Sequence, residues 1–307
     1  MLRSVDLYTN NIIKTRTAFT KEFNQWNRCM DLNNYAANVT NSFALPDSCL
    51  KIKELNEDDR STADDLAAVI GLDPSLSAKL LKLANSALFR FPAQISTISK
   101  AVNVIGGEAI YNLAMMEATR SVFSQFGSST VDLRYFWKHS VYSGLIAKNL
   151  AKSMKVRGSE RFFLIGLLHN LGLLAVAALS PEKVKACEKL SEEQLPWERQ
   201  NEILGFSYSQ CTSKILHNWQ LPSQLYVPIE MFTDIQQCLD DDDSALLRIA
   251  SLSAHYHLTD SDRNVPDYFD ITLIRTIGAE YDDIIDCIKF ADMESQSILG
   301  LMNPDLF

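Results

Sequence analysis

The stretch Asp73-Pro74-Ser75-Leu76-Ser77-Ala78-Lys79-Leu80-Leu81-Lys82-Leu83-Ala84-Asn85-Ser86-Ala87-Leu88-Phe89 decides how the rest of the chain is read. Leu76, Leu80, Leu83, Ala84, Ala87 and Leu88 recur at steps of three and four, the period of one helix face. Asp73 supplies an N-cap, and Pro74 fits the first helical position, where a missing N–H is harmless. Asn85 is read as the C-terminal cap, since asparagine tolerates left-handed backbone.

The same period extends in both directions. Thr62 and Asp65 resemble a capping box for a helix over 63–71, with Asp in place of the usual Glu. Ser96 or Thr97 caps a helix that runs through Ile105 and stops at Gly106-Gly107. Further helices are predicted over 108–126, 133–154, 162–179, 182–190, 194–204, 208–218, 222–231, 243–257 and 280–301. No stretch alternates at period two, so the fold class is all-α. Asp240–Asp243 is read as the acidic first turn of the next helix, favoured by the helix dipole. Trp219 is expected in the core, and Ile284, Ile285 and Ile288 are expected to face the rest of the protein.

Composition narrows the function classes. Hydrophobic residues make up 47% of the 307 and charged residues 22%, while Gly (11) and Pro (9) are scarce, which argues for a folded protein without linkers. A net charge of −9 argues against broad nucleic-acid binding and against attraction to anionic lipid. The six cysteines form no CxxC pair and read as reduced thiols of a cytoplasmic protein. Phe162–Leu179 approaches the length of a membrane span, but His169 and Asn170 at its centre are costly in lipid, so a buried core helix is predicted. No P-loop, GxGxxG or GxSxG is present.

Several segments together resemble the HDOD family, bacterial relatives of the HD metal-dependent phosphohydrolases. The Asp73–Phe89 segment is similar to the family hallmark. Leu45-Pro46 opens the domain, Ile95–Gly106 follows, and Phe136-Trp137-Lys138-His139-Ser140 and Gly166–Gly172 come in the expected order. Glu202 with Gly205, and Trp219-Gln220-Leu221-Pro222, close a match over about residues 42–235. The resemblance implies a two-lobed all-α fold with an HD-like lobe. The expected organisation is an N-terminal helical extension over 1–41, an HDOD domain over 42–258 with lobes 42–130 and 131–258, and a C-terminal helical segment over 259–307.

The departures from the active HD pattern point to function. HD enzymes hold a divalent metal with an early His, a His-Asp doublet and a late Asp. Here the matching positions are His139, His169-Asn170 and Ser251. Tyr208 stands where relatives often carry His, and Met231-Phe232 where active relatives place paired His. Two neutral imidazoles and an amide are a poor dication site, because no ligand brings negative charge. No catalytic residue, metal or cofactor is therefore expected. His169 is expected as a hydrogen-bonded core histidine, His139 as half-buried beside Trp137, and Asn170 as a buried amide capping or bridging helices. The competing reading makes these residues, with Tyr208 and Ser251, a remnant pocket for a small ligand.

The expected function is a non-catalytic signal-transduction module that works through contacts with unidentified signalling proteins, in trans or as a homo-oligomer, with no nucleic-acid or membrane partner. The alternative is a divergent metal-dependent HD-type phosphohydrolase acting on a nucleotide or cyclic dinucleotide. Phe19, Phe23, Trp26 and Met30 recur at helical steps outside the family match and form a stripe for core packing or partner contact.

Overall fold

Capping residues set where the helices of the first lobe begin. A computed structural model of the protein describes residues 31–42, 46–86, 94–123, 130–189, 194–259 and 271–302, with Phe89, Phe269 and Phe307. Among the described residues all regular structure is helical. It begins with α1 (Leu32–Ser42), α2 (Asp47–Glu57), α3 (Ala63–Gly71), α4 (Pro74–Ala84), α5 (Ile98–Ile105) and α6 (Gly107–Phe123). Ahead of α3, the Thr62 hydroxyl accepts from the Asp65 amide at 3.2 Å while the Asp65 carboxylate accepts from the Thr62 amide at 2.9 Å. The shorter Asp still closes the box. Asp73 accepts from the Leu76 amide at 3.0 Å, and Thr97, not Ser96, accepts from the Lys100 amide at 3.1 Å. α3 packs on α2, α4 and α5, and α6 lies across α2, α4 and α5.

The second lobe is built on α7 (Leu133–Ser153), which Asp132 caps by accepting from the Arg134 and Tyr135 amides. It continues through α8 (Arg161–Leu168), α9 (Gly172–Leu179), α10 (Pro181–Cys187), α11 (Pro196–Leu204), α12 (Tyr208–Asn218), α13 (Ser223–Met231), α14 (Ile235–Asp240) and α15 (Asp242–Thr259). α16 (Ile271–Thr276) and α17 (Tyr281–Met302) follow. α8, α15 and α17 surround α7, so even small polar residues such as Ser140 and Ser143 are buried on it. Glycines allow the closest crossings. A Cβ on Gly166 would lie 2.6 Å from the Gly144 backbone, and one on Gly172 would overlap the Tyr208 carbonyl. The Gly172 amide donates to Thr212 Oγ1 at 2.8 Å. α6 touches α8, and α4 touches α17, which joins the lobes. Trp219, Ile284 and Ile288 are buried as expected, and Ile285 is half-buried.

Several elements differ from the sequence reading. The single helix over 162–179 breaks into α8 and α9 at His169-Asn170-Leu171. The Leu171 amide bonds to Leu168 O, three residues back, and His169 Nδ1 lies 2.6 Å from Gly166 O. That carbonyl is the one a continuing helix would offer to the Asn170 amide. The stretch Arg161–Leu179 is long and apolar enough to cross a membrane, but most of it is buried inside the fold. Asn85 ends α4 with φ −89°, not left-handed. It works through its side chain, which donates to Leu81 O and Ile95 O and accepts from the Ile95 amide, all within 2.8 Å.

The acidic run also splits. Asp240 ends α14, and Asp241 caps α15 by accepting from the Ser244 amide at 2.8 Å. α2, α14 and α16 carry no clear apolar period; α2 buries only Cys49 and Ile52. α1, from the extension, packs on α9 and α12, where Tyr35 meets the Phe206 ring at 5.6 Å and bonds Ser180 Oγ at 2.8 Å. Phe19, Phe23, Trp26 and Met30 lie outside the described residues. Every described cysteine is free and buried.

Candidate functional site

Helix periodicity places the histidines. Tyr135 and His139 are four apart on α7, and Ser251 and His255 are four apart on α15, so each pair shares a helix face. α7 and α15 pack side by side, and the turn after α8 brings His169 between them. The His139 and His169 rings lie 5.2 Å apart, and His139 and His255 lie 6.2 Å apart.

Ser251 holds both central imidazoles. His139 Nε2 lies 3.1 Å from the Ser251 carbonyl, which can only accept, so this nitrogen carries the proton. The same logic puts the His169 proton on Nδ1, facing Gly166 O. His169 Nε2 is then the acceptor for the Ser251 hydroxyl at 3.2 Å. Burial pushes the His169 pKa down to about 4. His139 is lowered well below the ordinary histidine value by burial and then by its two histidine neighbours. Both rings are neutral at pH 7. Tyr135 OH bonds His255 Nδ1 at 3.1 Å, and burial raises its pKa to about 12.

These groups wall a cavity of about 200 Å³ that also takes in Asn170 and Tyr208. All five pocket candidates from the sequence, His139, His169, Asn170, Tyr208 and Ser251, thus stand around one space. His139 is buried rather than half-buried, because α15 and the α8–α9 turn cover it. Asn170 is half-buried at the wall rather than buried between helices. Its backbone carbonyl makes the turn by accepting from the Leu173 amide at 3.0 Å. Tyr208 is 3% exposed, and its hydroxyl has no hydrogen-bond partner among the described residues. Phe232 packs edge-on to His169 at 5.6 Å and to Trp197 at 5.5 Å; Met231 does not line the cavity.

Sequence reading missed Tyr135, Trp197, Gln200, Glu188 and His255, which also line the space. The i,i+4 partners of His139 and Ser251 were the available signal for Tyr135 and His255. Glu188 comes from the turn after α10 and carries no local signal.

The divalent metal of the HD enzymes does not fit this donor set. Ser251 donates its hydroxyl to His169 Nε2, the nitrogen left after Nδ1 bonds Gly166 O, and Asn170 and Ser251 bring no negative charge to offset a dication. Among the described residues no group of three His, Cys, Asp or Glu side chains is arranged to hold a metal.

Residues 43–235 match the HDOD domain family. An uncharacterized protein of Treponema pallidum (strain Nichols) is 28% identical over 184 residues, which are 58% of this chain. The chain spans about a third (35%) of that relative's length. An HDOD domain protein of unknown function from Geobacter sulfurreducens has the same fold, with a TM-score of 0.67 and 20% identity over 90% of this chain and 98% of that one. A candidate phosphohydrolase from Shewanella amazonensis SB2B matches at TM-score 0.66 and 20% identity, over 89% and 98% of the two chains.

Proposed function

The chain belongs to the HDOD family, and from that premise we propose that it is a non-catalytic regulatory module of bacterial signal transduction that acts on other proteins in the cytoplasm. The observation that carries this reading is the binding of both central imidazoles to Ser251. In the HD enzymes the late position brings a carboxylate to the metal. Here the serine at that position donates to one histidine and accepts from the other. A site built this way holds helices together. It does not supply the negative charge a dication needs, nor a metal-bound water as nucleophile.

We take residues 42–258 as the folded module. α15 lies beyond the family match, yet it supplies Ser251 and packs along α7. The partner is a separate signalling protein or a second copy of the chain.

The test uses the full chain produced in medium supplemented with manganese, iron and zinc. The expected result is substoichiometric metal by mass spectrometry and no hydrolysis of bis-p-nitrophenyl phosphate above the blank. In-cell crosslinking should then recover a protein that binds the purified chain directly. Stoichiometric metal, with turnover abolished by His139→Ala, would overturn the reading in favour of a phosphohydrolase.

A further inference from the structure

The cavity beside His169 has a chemical character of its own. Its walls are largely apolar and aromatic, with Phe136, Trp197 and Phe232 among them. Trp197 and Phe232 meet edge to face at 77°, and Phe232 and His169 at 80°, so the rings form a box instead of stacking on one another. Among the described residues no lysine or arginine lines the space. Among the described residues, Asp132 and Glu188 are the carboxylates that line it, and Glu188 is held above the ordinary carboxylate pKa by burial and then by Asp132.

That balance decides the sign of an occupant. A phosphate or carboxylate entering here would lose its hydration and meet the neutral His139 and His169 imidazoles and two acids, while the Arg248 guanidinium lies behind the wall, over the Trp197 ring and already bonded to the Phe232 and Thr233 carbonyls. A flat neutral ring is served well. It covers the aromatic walls, and its polar edge can reach the half-exposed Asn170 amide, which both donates and accepts. Tyr208 adds a buried hydroxyl without a partner at the same wall.

We propose that this cavity is a binding site for an uncharged one- or two-ring aromatic molecule and that it rejects phosphorylated ligands. The site does not depend on the signalling reading: ligand binding is measurable whether or not a partner protein is found.

The experiment titrates the full chain with indole and adenine, and with their anionic counterparts indole-3-carboxylate and adenosine monophosphate, by calorimetry and tryptophan fluorescence. At least one neutral probe should saturate a single site with a Kd below about 1 mM, and its anionic counterpart should bind at least about tenfold more weakly. Leu173→Phe, which fills the cavity, should weaken the neutral probe by about tenfold or more. Asn170→Leu, at a half-exposed wall position, should weaken adenine and keeps the test valid if Leu173→Phe does not fold. The proposal fails if neither neutral probe saturates, if an anion binds as tightly, or if the folded variants bind like the parent chain.

Discussion

α4 and α8 each run into a turn that carries an asparagine, and the two turns differ in what their polar groups do. After α4, both ends of the Asn85 amide bind the chain, tying Leu81 to Ile95. After α8, the turn is made by backbone bonds and by His169 Nδ1, and the Asn170 amide is left at the wall of a cavity. The first turn is a fastening, with its side-chain hydrogen bonds closed on the protein itself. The second joins a packed core to a space, with one side chain on each side of the boundary. A polar residue that closes on its own backbone stabilises the fold; one that faces a cavity is available to something else.

The largest expected effect comes from crowding the second turn. Gly172→Ala forces a methyl group onto the Tyr208 carbonyl, and backbone cannot rotate away as a side chain can. A loss of more than about 3 kcal/mol is expected in urea unfolding. A Gly172→Ala chain that unfolds like the parent would mean the two backbones are not in contact.

The next effect separates the turns by pH. The folded pKa of His169 is depressed from 6.5 to about 4. The unfolded chain therefore takes up a proton that the fold refuses. The stability held by the neutral ring is complete above pH 6.5 and is lost as pH falls toward 4. The loss for this one group is about 3 kcal/mol over that window. His169→Gln should flatten the stability–pH slope between those limits, whereas Asn85→Ala should leave the slope as it is. Equal slopes in the parent and His169→Gln would show that the ring is not desolvated.

Asn85→Ala itself removes three hydrogen bonds from a largely exposed turn and should cost about 1–2 kcal/mol, with faster amide exchange at Ile95. The smallest effect is expected for Asn170→Asp. Asn170 is only partly buried, so a carboxylate there keeps part of its hydration or takes up a proton, and stability should fall by less than about 1 kcal/mol. It should not create manganese-dependent hydrolysis of bis-p-nitrophenyl phosphate, because Ser251 still holds both histidines. A large stability loss at this position would mean that the two asparagines are alike after all.

Much of this was legible in the sequence. Capping residues act on amides two or three positions away, so Thr62 and Asp73 could be read without tertiary knowledge and the next cap narrowed to Ser96 or Thr97. The apolar period gave α3 to α7 and α11 to α13, and gave α8 and α9 as one continuous helix, because one buried face repeats every turn. α2 and α14 were not legible: they bury too few residues to show a period, and their helicity depends on what they pack against. The candidate positions His139, His169, Asn170, Tyr208 and Ser251 were legible only through resemblance to a family pattern.

Residue order by itself determined the helical class, since apolar period and capping residues act locally; the two lobes and the loss of carboxylates at the metal positions were read through the resemblance to the HDOD pattern. Tertiary structure alone decided that α8 stops at His169, that Ser251 reaches two histidines at once, and that Trp197, Glu188 and His255 share their cavity. Those facts join residues from helices and turns far apart in the chain. The crossing of α7 with α8 at Gly144 and Gly166, and the packing of α15 along α7, bring them within reach of one another.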